Sequence, residues 1–181
     1  SEPAVYVLTN IMQSVIEAGT GNVVRRLGFT APAAGKTGTS NDTRDAWFAG
    51  FTPRLLAVVW VGFDDNRELK LTGGQAAAPI WTEFMKCAAP LEPQLDFVPP
   101  PGVVFRELDR ASGLLMTPTC PSENRVNEVF VEGTEPVTGC PIHTRDVYGD
   151  EQLRPLEDDR EILSPPSAPR RERTLWDQLF G

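Results

Sequence analysis

Apolar residues near the start of the chain recur at the spacing of one face of a helix. The predicted helix spans residues 4–18, with Ser1 able to cap its start and Gly19 ending it. Its apolar stripe consists of Val5, Leu8, Ile11, Met12, Val15 and Ile16. A second, shorter helix is predicted over residues 22–27, because Gly28 stops it.

Three apolar segments follow, and they are predicted to be β-strands at residues 34–39, 45–51 and 55–63. The last segment is apolar at almost every position, which is typical of a strand covered on both faces. Since only residues 52–54 join the last two strands, these two are predicted to pair antiparallel.

A further helix is predicted over residues 75–89. The face predicted to pack is formed by Ile80, Phe84, Cys87 and Ala88, with Trp81 and Met85 beside it. On that face Cys87 is expected to be a buried thiol. The order helix, three antiparallel strands, helix predicts an α+β fold in which helices pack on an antiparallel sheet.

The composition of the chain changes near residue 90. Residues 1–90 hold 8 basic and 8 acidic side chains, whereas residues 91–181 hold 9 Arg, no Lys and 17 acidic side chains, and so carry the whole net charge of −8. This balance argues against nucleic acid and anionic membrane surfaces as partners, because both need a basic patch. Proline rises from 5 to 12 between the same halves, which favours a looser second half.

These shifts predict four regions along the chain. They are a compact domain at 1–89, a Pro-rich linker at 90–102, a small extension at 103–149 and an acidic, largely disordered tail at 150–181. Within the extension, short strands are predicted at 103–107 and 128–132. The tail ends on one apolar helical face, formed by Leu175, Trp176, Leu179 and Phe180.

The segment with the most chemistry is Lys36-Thr37-Gly38-Thr39-Ser40. It offers one cation, three hydroxyls and a glycine that lets another backbone approach closely. On an exposed edge strand such a set can hold a carboxylate, pair with an extended peptide and help stabilise an oxyanion through a backbone N–H. On its own, the tripeptide Lys-Thr-Gly favours a polar edge strand without chemistry over a functional site.

The segments around this motif add a resemblance to a known family. GKTGTS is followed by NDTRDAWFAGFTP, LLAVVWVGFDDN and TGGQAAAPIWTEFM. Together they resemble the last part of the transpeptidase domain of class A penicillin-binding proteins, and Lys-Thr-Gly is the third motif of that superfamily. The resemblance covers residues 1–88 and resumes in GLLMTPTCP, VEGTEP and CPIH, which look like the C-terminal extension of the same proteins. It implies the penicillin-binding/serine β-lactamase-like transpeptidase fold, followed by an irregular extension.

The resemblance also implies roles for the motif residues. The family's serine attacks the D-Ala-D-Ala bond of a peptidoglycan stem peptide, and β-lactams acylate the same serine. Lys36 and Thr39 would be catalytic, Lys36 by its charge and Thr39 by an oxyanion-hole N–H. Thr37 and Thr39 would contact the substrate carboxylate, Gly38 would let the substrate lie along the strand, and Ser40 would add a polar contact. As an exposed edge residue, Thr39 is expected to contribute little to folding.

The sequence departs from the family pattern at the nucleophile. No Ser-x-x-Lys occurs, and the one Ser-x-Asn, at Ser122-Glu123-Asn124, follows Lys-Thr-Gly instead of preceding it. The nucleophile, its lysine and the true second motif are therefore expected upstream of residue 1. The chain is expected to be a fragment of a bifunctional glycosyltransferase/transpeptidase and to be inactive by itself, because it lacks the nucleophile.

The same resemblance predicts the setting of the protein. Stem peptides and β-lactams are the expected ligands, other cell-wall synthesis proteins are expected partners, and no cofactor is expected. The protein would lie at the periplasmic or extracytoplasmic face, anchored through an upstream helix missing from this chain. Two alternatives stay open: a D,D-carboxypeptidase or β-lactamase on the same fold, and a non-catalytic penicillin-sensing domain.

The remaining candidates for chemistry are the cysteines of the extension. Cys120 and Cys140 are predicted to form a disulfide, which suits an extracytoplasmic protein, with free thiols as the alternative. Together with His143 they supply three metal ligands, one fewer than a structural zinc site requires. No metal site is therefore predicted.

Overall fold

The computed structural model describes residues 1–93 and 95–143. The predicted tail at 150–181, with its apolar stripe, lies outside the described residues. The helices are α1 (Glu2–Glu17), α2 (Val23–Arg26) and α3 (Gly73–Ala88), and the strands are β1 (Ala34–Thr39), β2 (Ala46–Phe51), β3 (Leu56–Val61), β4 (Val103–Asp109) and β5 (Arg125–Val131). Short 3-10 turns occupy Asn41–Thr43, Ala89–Leu91 and Ser122–Asn124. The predicted helices and strands are confirmed, with ends that shift by a few residues.

Two antiparallel sheets organise the described residues. The first has the order β1-β2-β3, so β1 is an edge strand, and the second consists of β4 and β5. In the first sheet Lys36 lies opposite Ala49 and Thr37 lies opposite Phe48. Helix α1 contacts β1, and α3 contacts β2 and β3, so the helices cover one face of this sheet. The predicted α+β class with an antiparallel sheet is confirmed.

The core lies between this sheet and the helices, and Trp81 of α3 is its largest fully buried side chain. Its ring packs edge to face against Phe48, with centroids 5.2 Å apart, and against Phe29 at 5.6 Å. The indole Nε1–H is shared between the carbonyl oxygens of Gly50 (3.1 Å) and Ala57 (3.2 Å). Because these carbonyls belong to neighbouring strands, the indole joins α3 to both β2 and β3.

The prediction that strand 55–63 is covered on both faces is wrong. Leu56, Val58 and Trp60 are exposed, whereas the residues between them are half-buried against the helices. Side chains alternate across a strand, so a strand covered by helices on one face leaves every second residue on the other face. An unbroken apolar sequence does not reveal which of the two faces is covered.

The predicted packing faces of two helices are also wrong in part. In α3 the exposed side chains include Ile80, Phe84 and Cys87, and the buried ones are Gly73, Ala77, Ala78, Trp81, Thr82 and Met85. Small residues such as Ala77 and Ala78 let this helix lie close to the sheet, and the packed face also carries Trp81 and Met85, whereas Ile80 and Phe84 lie outside it. In α1, Val5 and Leu8 are exposed while Ile16 is buried.

Candidate functional site

The two faces of edge strand β1 carry different parts of the Lys-Thr-Gly segment. Thr37 pairs across the sheet with the buried Phe48, so it belongs to the helix-covered face. Lys36 and Gly38 belong to the opposite face, where Gly38 pairs with the half-exposed Trp47. Because side chains alternate along a strand, Lys36 lies on one face of the sheet and the hydroxyls of Thr37 and Thr39 lie on the other. All three residues belong to the edge strand.

Lys36 is exposed, and its Nζ donates a hydrogen bond to the carbonyl oxygen of Thr37 at 2.9 Å. Within residues 1–93 and 95–143, no carboxylate forms an ion pair with this ammonium. Its charge is therefore not neutralised by a neighbour there, which is the condition needed to attract an anionic substrate group.

The hydroxyls of the segment each have a partner in the structure. The Oγ1 atoms of Thr37 and Thr20 lie 2.7 Å apart. Thr39 Oγ1 accepts a hydrogen bond from the N–H of Gly73 at 3.1 Å, at the start of α3. Since this contact uses Thr39 as acceptor, its hydroxyl proton stays available to donate to a carboxylate. Thr39 is thus more than an exposed edge residue, and the expectation that it contributes little to folding does not fit this contact.

Ser40 ends the segment by closing a turn. Its Oγ accepts a hydrogen bond from the N–H of Asp45 at 2.8 Å, and its own N–H donates to the Asp45 carbonyl at 3.0 Å. The Asp45 carboxylate in turn accepts from Trp60 Nε1 at 2.9 Å. These bonds fix the connection between β1 and β2 and hold the end of the Lys-Thr-Gly strand in place.

The start of α3 lies directly on the Lys-Thr-Gly strand because Gly73 has no side chain. A Cβ atom at Gly73 would overlap the carbonyl oxygen of Trp47 and lie 2.5 Å from that of Gly38. Thr72 precedes this glycine as N-cap and forms a capping box with Gln75. The first turn of the helix, with the positive end of its dipole, therefore lies beside Thr39.

The Ser-x-Asn tripeptide lies in the other sheet. Ser122–Asn124 forms the 3-10 turn that leads into β5, and the Asn124 carbonyl accepts a hydrogen bond from the Arg110 N–H at 2.8 Å. This turn connects parts of the extension and contributes no residue to β1.

The predicted disulfide is not present in the structure, where Cys87, Cys120 and Cys140 are all free thiols. The prediction that Cys87 is buried is wrong, because this thiol lies on the exposed side of α3. Cys120 and Cys140 nevertheless lie close together, in a group with His143 and Asp109. Sequence reasoning missed Asp109, since a carboxylate at the end of a strand, eleven positions before Cys120, fits no metal-binding spacing.

Burial and hydrogen bonds shift the pKa values of Cys140 and Asp109. Burial alone would raise the pKa of the Cys140 thiol, but hydrogen bonds from the Ser112 side chain and from the backbone of His143 and Ile142 lower it to about 7. Burial would likewise raise the pKa of Asp109. Its hydrogen bonds, chiefly with the Ser112 backbone, and the charge of His143 hold that pKa below its usual value instead.

Comparisons with known proteins agree with this architecture. Residues 99–145 match the family model described as penicillin-binding protein 1A, C-terminal domain. The chain is 40% identical over 117 residues to penicillin-binding protein 1A of Rickettsia typhi, covering 64% of this chain and 15% of the relative. It is 31% identical over 188 residues to penicillin-binding protein 2D of Bacillus subtilis, covering 99% of this chain and 25% of the relative.

A solved structure shows the same relationship. The crystal structure of penicillin-binding protein 1A from Haemophilus influenzae matches 76% of this chain at a TM-score of 0.67 and 30% identity, and the match covers 21% of that protein. The chain therefore spans about 15 to 25% of the length of these relatives. The resemblance found in the sequence is confirmed, and the chain is a C-terminal region of a class A penicillin-binding protein.

Proposed function

We propose that this chain forms one wall of the active site of a peptidoglycan D,D-transpeptidase. The observation that carries the proposal is the placement of Lys36 and Thr39 at the free edge of β1, beside the first turn of α3. An edge strand can pair with an extended peptide, and the charge of Lys36 and the hydroxyl of Thr39 suit the terminal carboxylate of such a peptide.

In the proposed reaction a serine from another part of the longer protein attacks the carbonyl carbon of a D-Ala-D-Ala bond. The C–N bond breaks, D-Ala leaves with a proton, and the acyl group stays on the serine. An amine of a neighbouring stem peptide then forms the new amide bond and releases the serine. β-Lactams acylate the same serine, which is why this class of protein binds penicillin.

The residues of this chain would bind and orient the acyl donor. The hydroxyl of Thr39 donates a hydrogen bond to the terminal carboxylate of the stem peptide, and the backbone N–H of Thr39 supplies half of the oxyanion hole. Lys36 provides positive potential and orients the hydroxyl of the family's second motif, while Gly38 leaves room for the substrate backbone. The bond from Gly73 to Thr39 Oγ1 polarises this hydroxyl and so makes it a better donor. We assign Ser40 a supporting role, because its hydroxyl already holds the turn to β2.

The proposal includes the division of labour within a longer protein. Because the chain contains no Ser-x-x-Lys, it would not form an acyl-enzyme by itself. The serine, a glycosyltransferase domain and a membrane anchor would belong to other segments, and the whole would act at the extracytoplasmic face with other cell-wall synthesis proteins. No helix in residues 1–93 and 95–143 is long and apolar enough to cross a bilayer.

The test replaces Lys36 by Ala in the longer protein and measures the second-order rate of acylation by a fluorescent penicillin. We expect at least a roughly tenfold fall, since a charge-assisted contact is typically worth about 1.5–3 kcal/mol. Lys86→Ala is the matched control, because this lysine pairs with Glu83 on the exposed side of α3. Equal acylation rates for Lys36→Ala and Lys86→Ala, at equal melting temperatures, would contradict the assignment. The isolated 181-residue chain should gain no mass with the same reagent.

A further inference from the structure

Three separate segments of the extension bring metal-ligating side chains to one place. Asp109 ends β4, Cys120 lies in the long connection between β4 and β5, and Cys140 and His143 follow β5. One ligand atom from each residue lies within 4.8 Å of all the others. Cys140 Sγ is 3.4 Å from His143 Nδ1, and that nitrogen is 3.2 Å from Asp109 Oδ2.

Asp109 has a buried oxygen that lacks a hydrogen-bond partner. Its Oδ1 accepts from the N–H groups of Ala111 (3.1 Å) and Ser112 (2.9 Å), which fixes the carboxylate in the turn after β4. Its Oδ2 is fully buried and receives no hydrogen bond of acceptable geometry, although His143 Nδ1 lies 3.2 Å from it and the Asn124 side chain also interacts with the carboxylate. A buried acceptor without a partner is costly, and a bound cation would satisfy it.

The Cys120 sulfur receives hydrogen bonds of the kind that metal-bound sulfurs usually receive, and the backbone of Cys140 is fixed beside it. Cys120 Sγ accepts from the Thr117 N–H at 3.3 Å and lies 3.2 Å from the Thr117 hydroxyl. The backbone of Cys140 is fixed by its N–H bond to the Leu115 carbonyl at 2.8 Å. Donors directed at the sulfur stabilise a thiolate, and such outer contacts orient metal ligands.

We propose that Asp109 Oδ2, Cys120 Sγ, Cys140 Sγ and His143 Nδ1 form a structural zinc site. Two sulfurs, one imidazole nitrogen and one carboxylate oxygen are ligand types that Zn²⁺ accepts, and four protein ligands complete its tetrahedron. Such a closed site leaves no open position for water or substrate, so its role is structural. On binding, the two thiols would each lose a proton, and the thiolates would donate to the metal.

The spacing of the ligand atoms favours zinc over a disulfide. With bonds of about 2.0–2.3 Å, the ligands of a tetrahedral zinc lie roughly 3.3–3.8 Å apart. The separations of 3.4 Å (Cys140–His143) and 3.2 Å (His143–Asp109) are close to this range, and the other separations are within 4.8 Å. A disulfide would instead bring the two sulfurs to about 2.05 Å and would leave Asp109 Oδ2 buried without a partner.

The extension has only a small apolar core of its own. Its sheet has only two strands, and the buried apolar side chains of the described extension are Leu108, Val129 and Cys140. Units with so small a core are marginally stable, and a structural metal is one way in which they gain stability. Zinc would tie the end of β4, the β4–β5 connection and the segment after β5 into one unit.

The test loads the full 181-residue chain, prepared under reducing conditions, with one equivalent of zinc or cobalt. We expect one zinc per chain after desalting, a thiolate-to-cobalt charge-transfer band in the Co²⁺ form, and a higher melting temperature that a chelator reverses. Cys140→Ser and Asp109→Asn should each lower the zinc affinity at least about tenfold. Asn keeps an acceptor for the turn but places an NH₂ where Oδ2 was, so it tests ligation separately from the turn. Cys87→Ser is the matched control, because this thiol is exposed on α3, outside the group.

Several results would overturn the site. One is a zinc content and affinity unchanged in both ligand variants. Another is a wild-type chain whose Co²⁺ form lacks the charge-transfer band. The third is a Cys120–Cys140 cross-linked peptide in zinc-loaded material held without a reductant, because thiolates bound to zinc would not pair with each other. The cobalt spectrum and the chelator melt need no variant, so a ligand variant that fails to fold leaves the proposal testable.

Discussion

Replacing Thr39 by Val tests two roles of a single oxygen atom. Valine keeps the shape and the backbone N–H but removes Oγ1, which accepts the hydrogen bond from the N–H of the buried Gly73. Leaving such a donor unsatisfied costs about 1–3 kcal/mol. For a chain of this length, each kcal/mol lowers the melting temperature by roughly 2–4 °C. We therefore expect Thr39→Val to melt several degrees below the parent.

The same change removes the hydroxyl proposed to hold the substrate carboxylate. A hydrogen bond to a charged group is worth about 1.5–3 kcal/mol, so acylation by a β-lactam should fall on the order of 10–100-fold. Thr39→Ser is the matched control, because it keeps Oγ and loses only a methyl group. We expect its melting temperature and acylation rate to stay close to those of the parent.

The assay is the second-order acylation rate of the longer protein, and the 181-residue chain with the same substitutions is melted in parallel. It is run below the melting temperature of the weakest variant, so that both rates refer to folded protein. If Val melts lower but acylates as fast as Ser, Thr39 has only the structural role seen in its bond to Gly73. If Val neither melts lower nor acylates more slowly, the hydrogen bond to Gly73 itself is refuted.

Two further predictions concern packing around this strand. Gly73→Ala should destabilise the protein by several kcal/mol, of the order seen for severe overpacking, because the added Cβ overlaps the Trp47 carbonyl oxygen. Unfolding in urea measures this loss of stability. A loss below about 0.5 kcal/mol would contradict the prediction. Trp81→Ala should cost about 3–5 kcal/mol, since it empties the core and leaves the Gly50 and Ala57 carbonyls without their shared donor. Trp47→Ala, which replaces a half-exposed indole, should lower the free energy of unfolding clearly less than Trp81→Ala in the same urea titrations. Equal losses for the two variants would mean that the burial of the indole does not determine its contribution to stability.

Periodicity was enough to predict the elements of the first sheet but not their environment. Residues 34–39, 45–51 and 55–63 have strand patterns bounded by turn residues, and the structure has strands at each. The face of a strand that packs on the helices can be predicted only where polar residues show that the opposite face is exposed to solvent. In β3 every position is apolar, so neither burial nor exposure of Leu56 and Trp60 could be read from the pattern. Which face is covered depends on where the helices pack, which is a property of the whole fold.

In α3 the usual assumption about helix packing gave the wrong face. Large apolar side chains such as Ile80 and Phe84 normally mark the packed side. Here the small side chains of Ala77 and Ala78 meet the sheet, because close approach lets Trp81 reach between β2 and β3. The sequence of the helix alone does not reveal the shape of the sheet surface on which the helix packs.

The two candidate sites differ in how far sequence could identify them. Lys36-Thr37-Gly38-Thr39 is contiguous, so its residue types are visible in one segment, and only the bond from Gly73 to Thr39, 34 positions away, needed the structure. The zinc ligands are spread from Asp109 to His143, and the fourth ligand has no spacing relationship to the other three. A site built from separate segments depends on the pairing of β4 with β5, which determines where their connections run. The proposed metal ligands of the extension are therefore brought together by the fold, whereas the candidate residues of β1 are neighbours in the sequence.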